Sequence, residues 1–118
     1  MRLDKELIRD ILLNIHKYKD VPISDYKIKY HLLIMKDGEL ISYDSLKDGS
    51  ETFYTHLDMS SKGYELLTHI SNSYVWDSIK ERLHERDMTV NDVPMDIIKW
   101  LSQEIMKEMF GGGDVWNL

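Results

Sequence analysis

With 118 residues, 42% of them apolar, the chain has the length of one domain and enough apolar content for a core, and its lack of cysteine excludes disulfides, cysteine-bound zinc and thiol catalysis. The formal charge of −6, from 21 Asp and Glu against 15 Lys and Arg, weakens non-specific attraction to phosphate. No apolar segment follows Met1-Arg2-Leu3-Asp4-Lys5-Glu6 and no run approaches the ~18 apolar residues of a membrane span, so the expectation is a cytoplasmic protein with no signal peptide and no membrane partner.

The first predicted element is an amphipathic helix from Leu3 to Lys17, with Leu3, Leu7, Ile8, Ile11, Leu12 and Ile15 on one face. Asp20-Val21-Pro22-Ile23 is a link. Ser24 is the expected N-cap of a second helix over Asp25–Asp37, with Ile23 and Ile28 as a hydrophobic staple. Ile28, Leu32 and Met35 form its expected inward face, His31 lies on the flank, and Gly38 supplies a left-handed C-terminal residue.

Two strands follow, Leu40–Leu46 and Thr52–Met59, joined by Lys47-Asp48-Gly49-Ser50, in which Asp-Gly is a strong hairpin dipeptide. In the second strand Phe53, Thr55 and Leu57 alternate with Tyr54, His56 and Asp58. Ser60 or Ser61 caps a helix reaching Ile70. Ser73 caps a further helix from Tyr74 to Arg86, with Val75, Trp76, Ile79 and Leu83 as its apolar side. Asn91 caps the last helix, Pro94 lies in its first turn, and Ile97, Ile98, Leu101, Ile105 and Met109 form its stripe. Trp100, Met106 and Phe110 lie off that stripe. The domain is read as residues 1–110 and the glycine-rich segment 111–118 as a flexible tail, in which Val115, Trp116 and Leu118 are apolar enough to dock.

Three stretches carry a resemblance to a known family. They are Leu7-Ile8-Arg9-Asp10-Ile11-Leu12-Leu13, Ile28-x-Tyr30-His31-Leu32, and Leu57 through Leu67, the last similar to a Leu-Thr-x-x-Gly-His-x-Phe-Leu pattern. With Trp76 and the charged helix behind it, nearly the whole chain resembles a domain-of-unknown-function family of small bacterial, prophage and phage proteins. Tyr64 stands where that pattern has histidine, and Gly38-Glu39 replaces its Ala-Gly. The resemblance implies a winged-helix-like fold and no particular activity. Ile28 to Ile41 is also similar to the recognition helix of bacterial winged-helix repressors, through Ile28, His31, Leu32, Met35 and Leu40. The expected architecture is therefore α+β: a reduced winged helix-turn-helix core with a two-stranded β-hairpin wing and extra C-terminal helices. The link between the first two helices is too short for the additional helix of a full winged helix.

On that reading Tyr26, Lys27, Lys29 and Tyr30 face a nucleic acid from the second helix, and Lys47 does so from the wing tip. No Arg, Asn or Gln accompanies them for bidentate base contacts. The wing's own charge opposes DNA, since Asp44, Asp48, Glu51 and Asp58 outnumber Lys47. Two functions of different classes follow. One is a non-enzymatic, phage- or prophage-encoded regulator acting on DNA. The other is a phage inhibitor of a host defence or nucleic-acid enzyme, whose acidic wing meets a basic host protein. Trp100 and Met106 suggest a partner surface or a homodimer seam in the C-terminal helices. The five histidines form no His-Glu-x-x-His pair, no glycine-rich phosphate loop is present, and no nucleophile elbow surrounds a serine, so neither enzyme chemistry nor a metal or other cofactor is expected.

Overall fold

The computed structural model describes residues 2–110. The expected tail, including Val115, Trp116 and Leu118, lies outside them. The fold is α+β, and the chain forms two compact units, Met1–Leu67 and Thr68–Leu118.

The first unit starts with α1 (Lys5–Leu13), shorter than its apolar rhythm predicts. Asp4 is its N-cap, with a side-chain oxygen accepting from the N–H groups of Glu6 and Leu7. The chain leaves the α-helix at Asn14, and Ile15–Lys17 continue as a single 3-10 turn. Ile8, Ile11 and Leu12 are buried, each worth roughly 1.5–3 kcal/mol of transfer free energy.

The link Asp20-Val21-Pro22-Ile23 contains a strand, β1 (Pro22–Ile23). It pairs with β3 (Glu51–Met59), which also pairs with β2 (Ile41–Asp48), giving an antiparallel sheet in the order β1-β3-β2. The two-stranded wing of the sequence reading is thus part of a three-stranded sheet. Two residues are too few to register as a strand by alternation, but Pro22 on an edge strand costs no ladder donor.

Between β1 and β2 runs α2 (Tyr26–Asp37). Asp25, not Ser24, is the N-cap, and its carboxylate accepts from the Ile28 N–H at 3.1 Å. Both residue types cap well; extended backbone at Asp25 decides between them. His31 belongs to the inward face, fully buried with Leu32 and Met35, while Ile28 is half-buried. Its ring is satisfied at both nitrogens: Nδ1 donates to the Lys27 carbonyl and Nε2 accepts the Asp4 N–H, each at 2.8 Å.

The helix ends in a Schellman turn, in which Glu39 N–H bonds Lys36 O and Leu40 N–H bonds Met35 O. The left-handed residue is Glu39 (φ 64°), whereas Gly38 has φ −81°. The glycine sits one position too early to take the conformation expected of it.

A β-bulge breaks the β2–β3 ladder, since Ser42 faces Asp58 but Asp44 faces Thr55. His56 is the left-handed residue there (φ 54°). The extra residue switches the inward parity of β3. Thr52 and Tyr54 are buried before it, and Leu57 and Met59 after it. A single alternation of Phe53, Thr55 and Leu57 against Tyr54, His56 and Asp58 therefore does not hold along the strand.

α3 (Ser61–Ile70) begins in this unit. Ser60 Oγ donates to the Glu39 carbonyl and accepts from the Gly63 N–H. Gly63 packs so closely on the α2–β2 junction that a Cβ there would overlap the Leu40 carbonyl oxygen and lie 2.7 Å from Met59 Cγ.

The second unit contains the end of α3, α4 (Ser73–His84), a 3-10 turn at Val90–Asp92, and α5 (Met95–Met109). Asn72 caps α4 in place of Ser73, accepting from the Val75 N–H at 3.1 Å. Thr89 and Asp92 form a capping box around the 3-10 turn, so Asn91 is not the cap of α5, which starts after Pro94. The buried face of α5 is Ile98, Ser102 and Ile105, with Ile97 and Met109 exposed. Ser102 displaces the apparent stripe: its hydroxyl donates to the His69 carbonyl at 2.7 Å, which lets a polar residue occupy the core position.

Candidate functional site

Strand alternation sorts the hairpin side chains by face. Tyr43, Ser45 and Lys47 of β2 share the face of Thr52 and Tyr54 on β3, with Ser45 opposite Tyr54 and Lys47 opposite Thr52. Together with Tyr26, Lys29, Tyr30 and Leu33 of α2 they line a groove of about 410 Å³. The hairpin stands beside α2 because the Schellman turn leads straight into β2 and because Lys29 Nζ donates to the Ser50 carbonyl at the hairpin tip, 3.0 Å away.

Four of the five residues expected at a nucleic acid meet in this groove: Tyr26, Lys29, Tyr30 and Lys47. Lys27 is not among its lining residues. Its ammonium is bound to Asp4 Oδ2 at 2.6 Å. This contact, helped by the capping bonds and opposed by desolvation, holds the Asp4 carboxyl below its ordinary value.

The acids lie differently. Asp44 and Asp58 project from the other face of the hairpin, opposite Thr55 and Ser42, and Asp48 faces Glu51 across the tip. Asp44 is paired with His56 Nδ1 at 3.0 Å, at the bulge, and Asp58 accepts from the Met59 N–H at 2.8 Å. Exposed Leu46 is on that same outer face, opposite Phe53. Summing the hairpin's charge hides this division, because the groove is lined by Lys29 and Lys47 with no carboxylate.

The floor of the groove is aromatic. Tyr43 and Tyr54 meet edge to face, with centroids 4.8 Å apart. Lys36 lies 4.5 Å from the Tyr43 ring centroid and donates to the Tyr43 carbonyl at 3.1 Å. Burial, then Tyr54 and Asp37, raises the Tyr43 hydroxyl to about 12, and burial also raises Tyr54. Both phenols therefore stay neutral donors at physiological pH. Tyr26, by contrast, is 70% exposed at the groove's edge. Tyr43, Ser45, Thr52 and Tyr54 were not identified as lining residues from sequence. The i, i+2 spacing of Tyr43, Ser45 and Lys47 carries that information for β2, while the bulge conceals it in β3.

The family model described as "Hypothetical protein (DUF2513)" matches residues 2–89. The chain belongs to the DUF2513 family. The DUF2513 match spans the whole groove and ends before α5. A Haemophilus influenzae (strain ATCC 51907 / DSM 11121 / KW20 / Rd) protein with the name "Uncharacterized protein" is 28% identical over 122 residues, spanning 92% of this DUF2513 chain and 98% of the relative. No solved structure matches.

Trp100 and Met106, expected together at a partner surface, do not share a face. Six residues at 100° each place them about 120° apart around α5. Trp100 is exposed and Met106 half-buried. Among the described residues, no group of three or more His, Cys, Asp or Glu is arranged to hold a metal ion, and no helix is long and apolar enough to cross a membrane.

Proposed function

We propose that this DUF2513 protein is a small non-enzymatic regulator of winged-helix type that binds nucleic acid in the groove between α2 and the hairpin. The observation that carries this is the sorting of charge across the hairpin: Lys29 and Lys47 line the groove with four tyrosines, and the acids project from the opposite face. The strand order β1-β3-β2 behind a helix and its hairpin supports the winged-helix reading. With lysines and phenols but no Arg, Asn or Gln in the groove, binding rests on phosphate contacts and has little direct base readout.

The test is fluorescence anisotropy with a labelled DNA duplex at low salt. Wild type binds, Lys29→Glu with Lys47→Glu abolishes binding, and Asp44→Lys with Asp58→Lys on the outer face leaves it intact or strengthens it. A wild-type protein that binds no duplex at low salt defeats the reading.

A second reading has one specific observation in its favour. Exposed Leu46 is set among Asp44, Asp48 and Asp58 on the outer face, an apolar point in an acidic surround suited to a basic protein partner. Capture of one host protein by wild type, lost in Asp44→Lys with Asp58→Lys and kept in the groove double variant, supports that reading.

A further inference from the structure

The groove between α2 and the hairpin holds rings as well as charge. Tyr26, Tyr30 and Leu33 follow at i, i+4 and i+7 along α2, which puts them on one face of the helix, and all three line the groove. Tyr26 is 70% exposed and Leu33 51%, so an aromatic ring and an apolar side chain are left in water there. Tyr30 is half-buried and braced edge to face against His31, with centroids 5.5 Å apart. Two cations share the lining: Lys47 is exposed, and Lys29 keeps two of its three donors after its bond to the Ser50 carbonyl. Asp37 stands near Tyr43, and Asp48 faces Glu51 at the hairpin tip, but no carboxylate lines the groove, and Lys36 over the Tyr43 ring offsets Asp37.

We propose that the ligand of this groove is single-stranded DNA, held by base stacking on Tyr26 and Tyr30 with its phosphates on Lys29 and Lys47. The inference rests on the nucleic-acid reading of the groove and adds the strand state. In a duplex the faces of each base are covered by its neighbours and only edges are offered. Edges are read by Arg, Asn or Gln, which the groove lacks. An unpaired strand offers its π faces, and stacking on an aromatic ring is indifferent to sequence, as a groove without base readers requires. A duplex has use for the lysines alone, whereas an unpaired strand uses lysines and rings together, so the two forms differ by the contribution of the rings. Exposed Leu33 favours DNA over RNA: thymine carries a methyl group for an apolar side chain to cover, and uracil has none.

Fluorescence anisotropy of the full chain tests it with a labelled oligothymidine, an oligouridine of the same length and a duplex. Oligothymidine should bind most tightly. Its lead over the duplex should widen as salt rises, because each phosphate contact contributes about 0.7 to the log–log salt slope of a single strand against about 0.9 for a duplex. Tyr26→Ala should weaken oligothymidine by about 5- to 150-fold, Tyr26→Phe should keep the wild-type affinity, and neither should move the duplex. Tyr26 is exposed at the start of α2, so far-ultraviolet circular dichroism of both variants should stay that of wild type. A duplex bound as tightly as oligothymidine, or weakened equally by Tyr26→Ala, overturns the inference and leaves the nucleic-acid reading standing. Oligouridine bound as tightly as oligothymidine, or more tightly, overturns the assignment to DNA. Absence of binding to all three at low salt defeats the reading and the inference with it.

Discussion

Asp4 and His31, 27 positions apart, are joined by a 2.8 Å bond from the Asp4 backbone N–H to the buried Nε2 of the histidine. The same aspartate caps α1 with one carboxylate oxygen and binds Lys27 of α2 with the other. One residue thus ties the start of α1 to the inward face of α2, and it does so through its backbone, its cap and its charge. Replacing Asp4 by Ala removes the last two. The cap is worth about 1 kcal/mol and the partly exposed ion pair about 0.2–1 kcal/mol, so urea denaturation should show a loss of about 1–2 kcal/mol.

Asp4→Asn separates those contributions, since asparagine caps as well as aspartate but does not titrate. The folded carboxyl of Asp4 lies below its ordinary 3.8, chiefly through Lys27. Lowered in the folded state, it adds stability above the unfolded value and loses it as pH falls through the folded one. Wild-type stability should therefore drop more steeply than that of Asp4→Asn on acidification below 3.8. Parallel slopes of unfolding free energy against pH would remove the ion pair from the account.

Glu39 occupies the left-handed position of the Schellman turn, where a side chain costs about 1–2 kcal/mol and glycine none. Its carbonyl, which accepts from Ser60, is retained in any substitution. Glu39→Gly should then stabilise the protein by about 0.5–1 kcal/mol once the added freedom of the unfolded chain is subtracted. Thermal unfolding would report it as a higher midpoint, and a lower midpoint would mean the glutamate side chain has a role beyond conformation.

Gly63 presents the opposite case. Alanine is favoured over glycine by about 1 kcal/mol within a helix. Here its Cβ would overlap the backbone carbonyl of Leu40 and crowd Met59, and a backbone carbonyl cannot rotate aside as a side chain can. The overpacking cost of about 1–3 kcal/mol should exceed the gain, so Gly63→Ala unfolds at lower urea than wild type.

The sequence makes the elements legible because each is long enough to show its period, or has punctuation such as Asp48-Gly49 in the hairpin. The features it conceals are those that change the period. His56 shifts the parity of β3 by one residue, so Tyr54 and Asp58, which plain alternation puts on one face, lie on opposite faces. Ser102 is polar but buried on a carbonyl, which turns the apparent face of α5 toward Ile97. At the candidate site the helix residues Tyr26, Lys29 and Tyr30 are readable from helical spacing. The sorting of Lys47 from the acids needs the register, and the diversion of Lys27 to Asp4 needs the packing of α1 on α2.

On the proposed nucleic-acid function, that diversion separates the lysines of the groove from Lys27. Each phosphate neutralised on duplex DNA contributes about 0.9 to the slope of log affinity against log salt. Lys29→Gln and Lys47→Gln should each reduce the measured slope by about that amount, with affinity falling across all sequences alike. Lys27→Gln should leave the slope at the wild-type value while lowering stability, because its charge is already spent on Asp4. Lys29 differs from Lys27 in its partner: one of its three donors is taken by the Ser50 carbonyl, which neutralises nothing. A Lys27→Gln slope that falls as far as the Lys29→Gln slope would move the interface out of the groove and onto the first turn of α2.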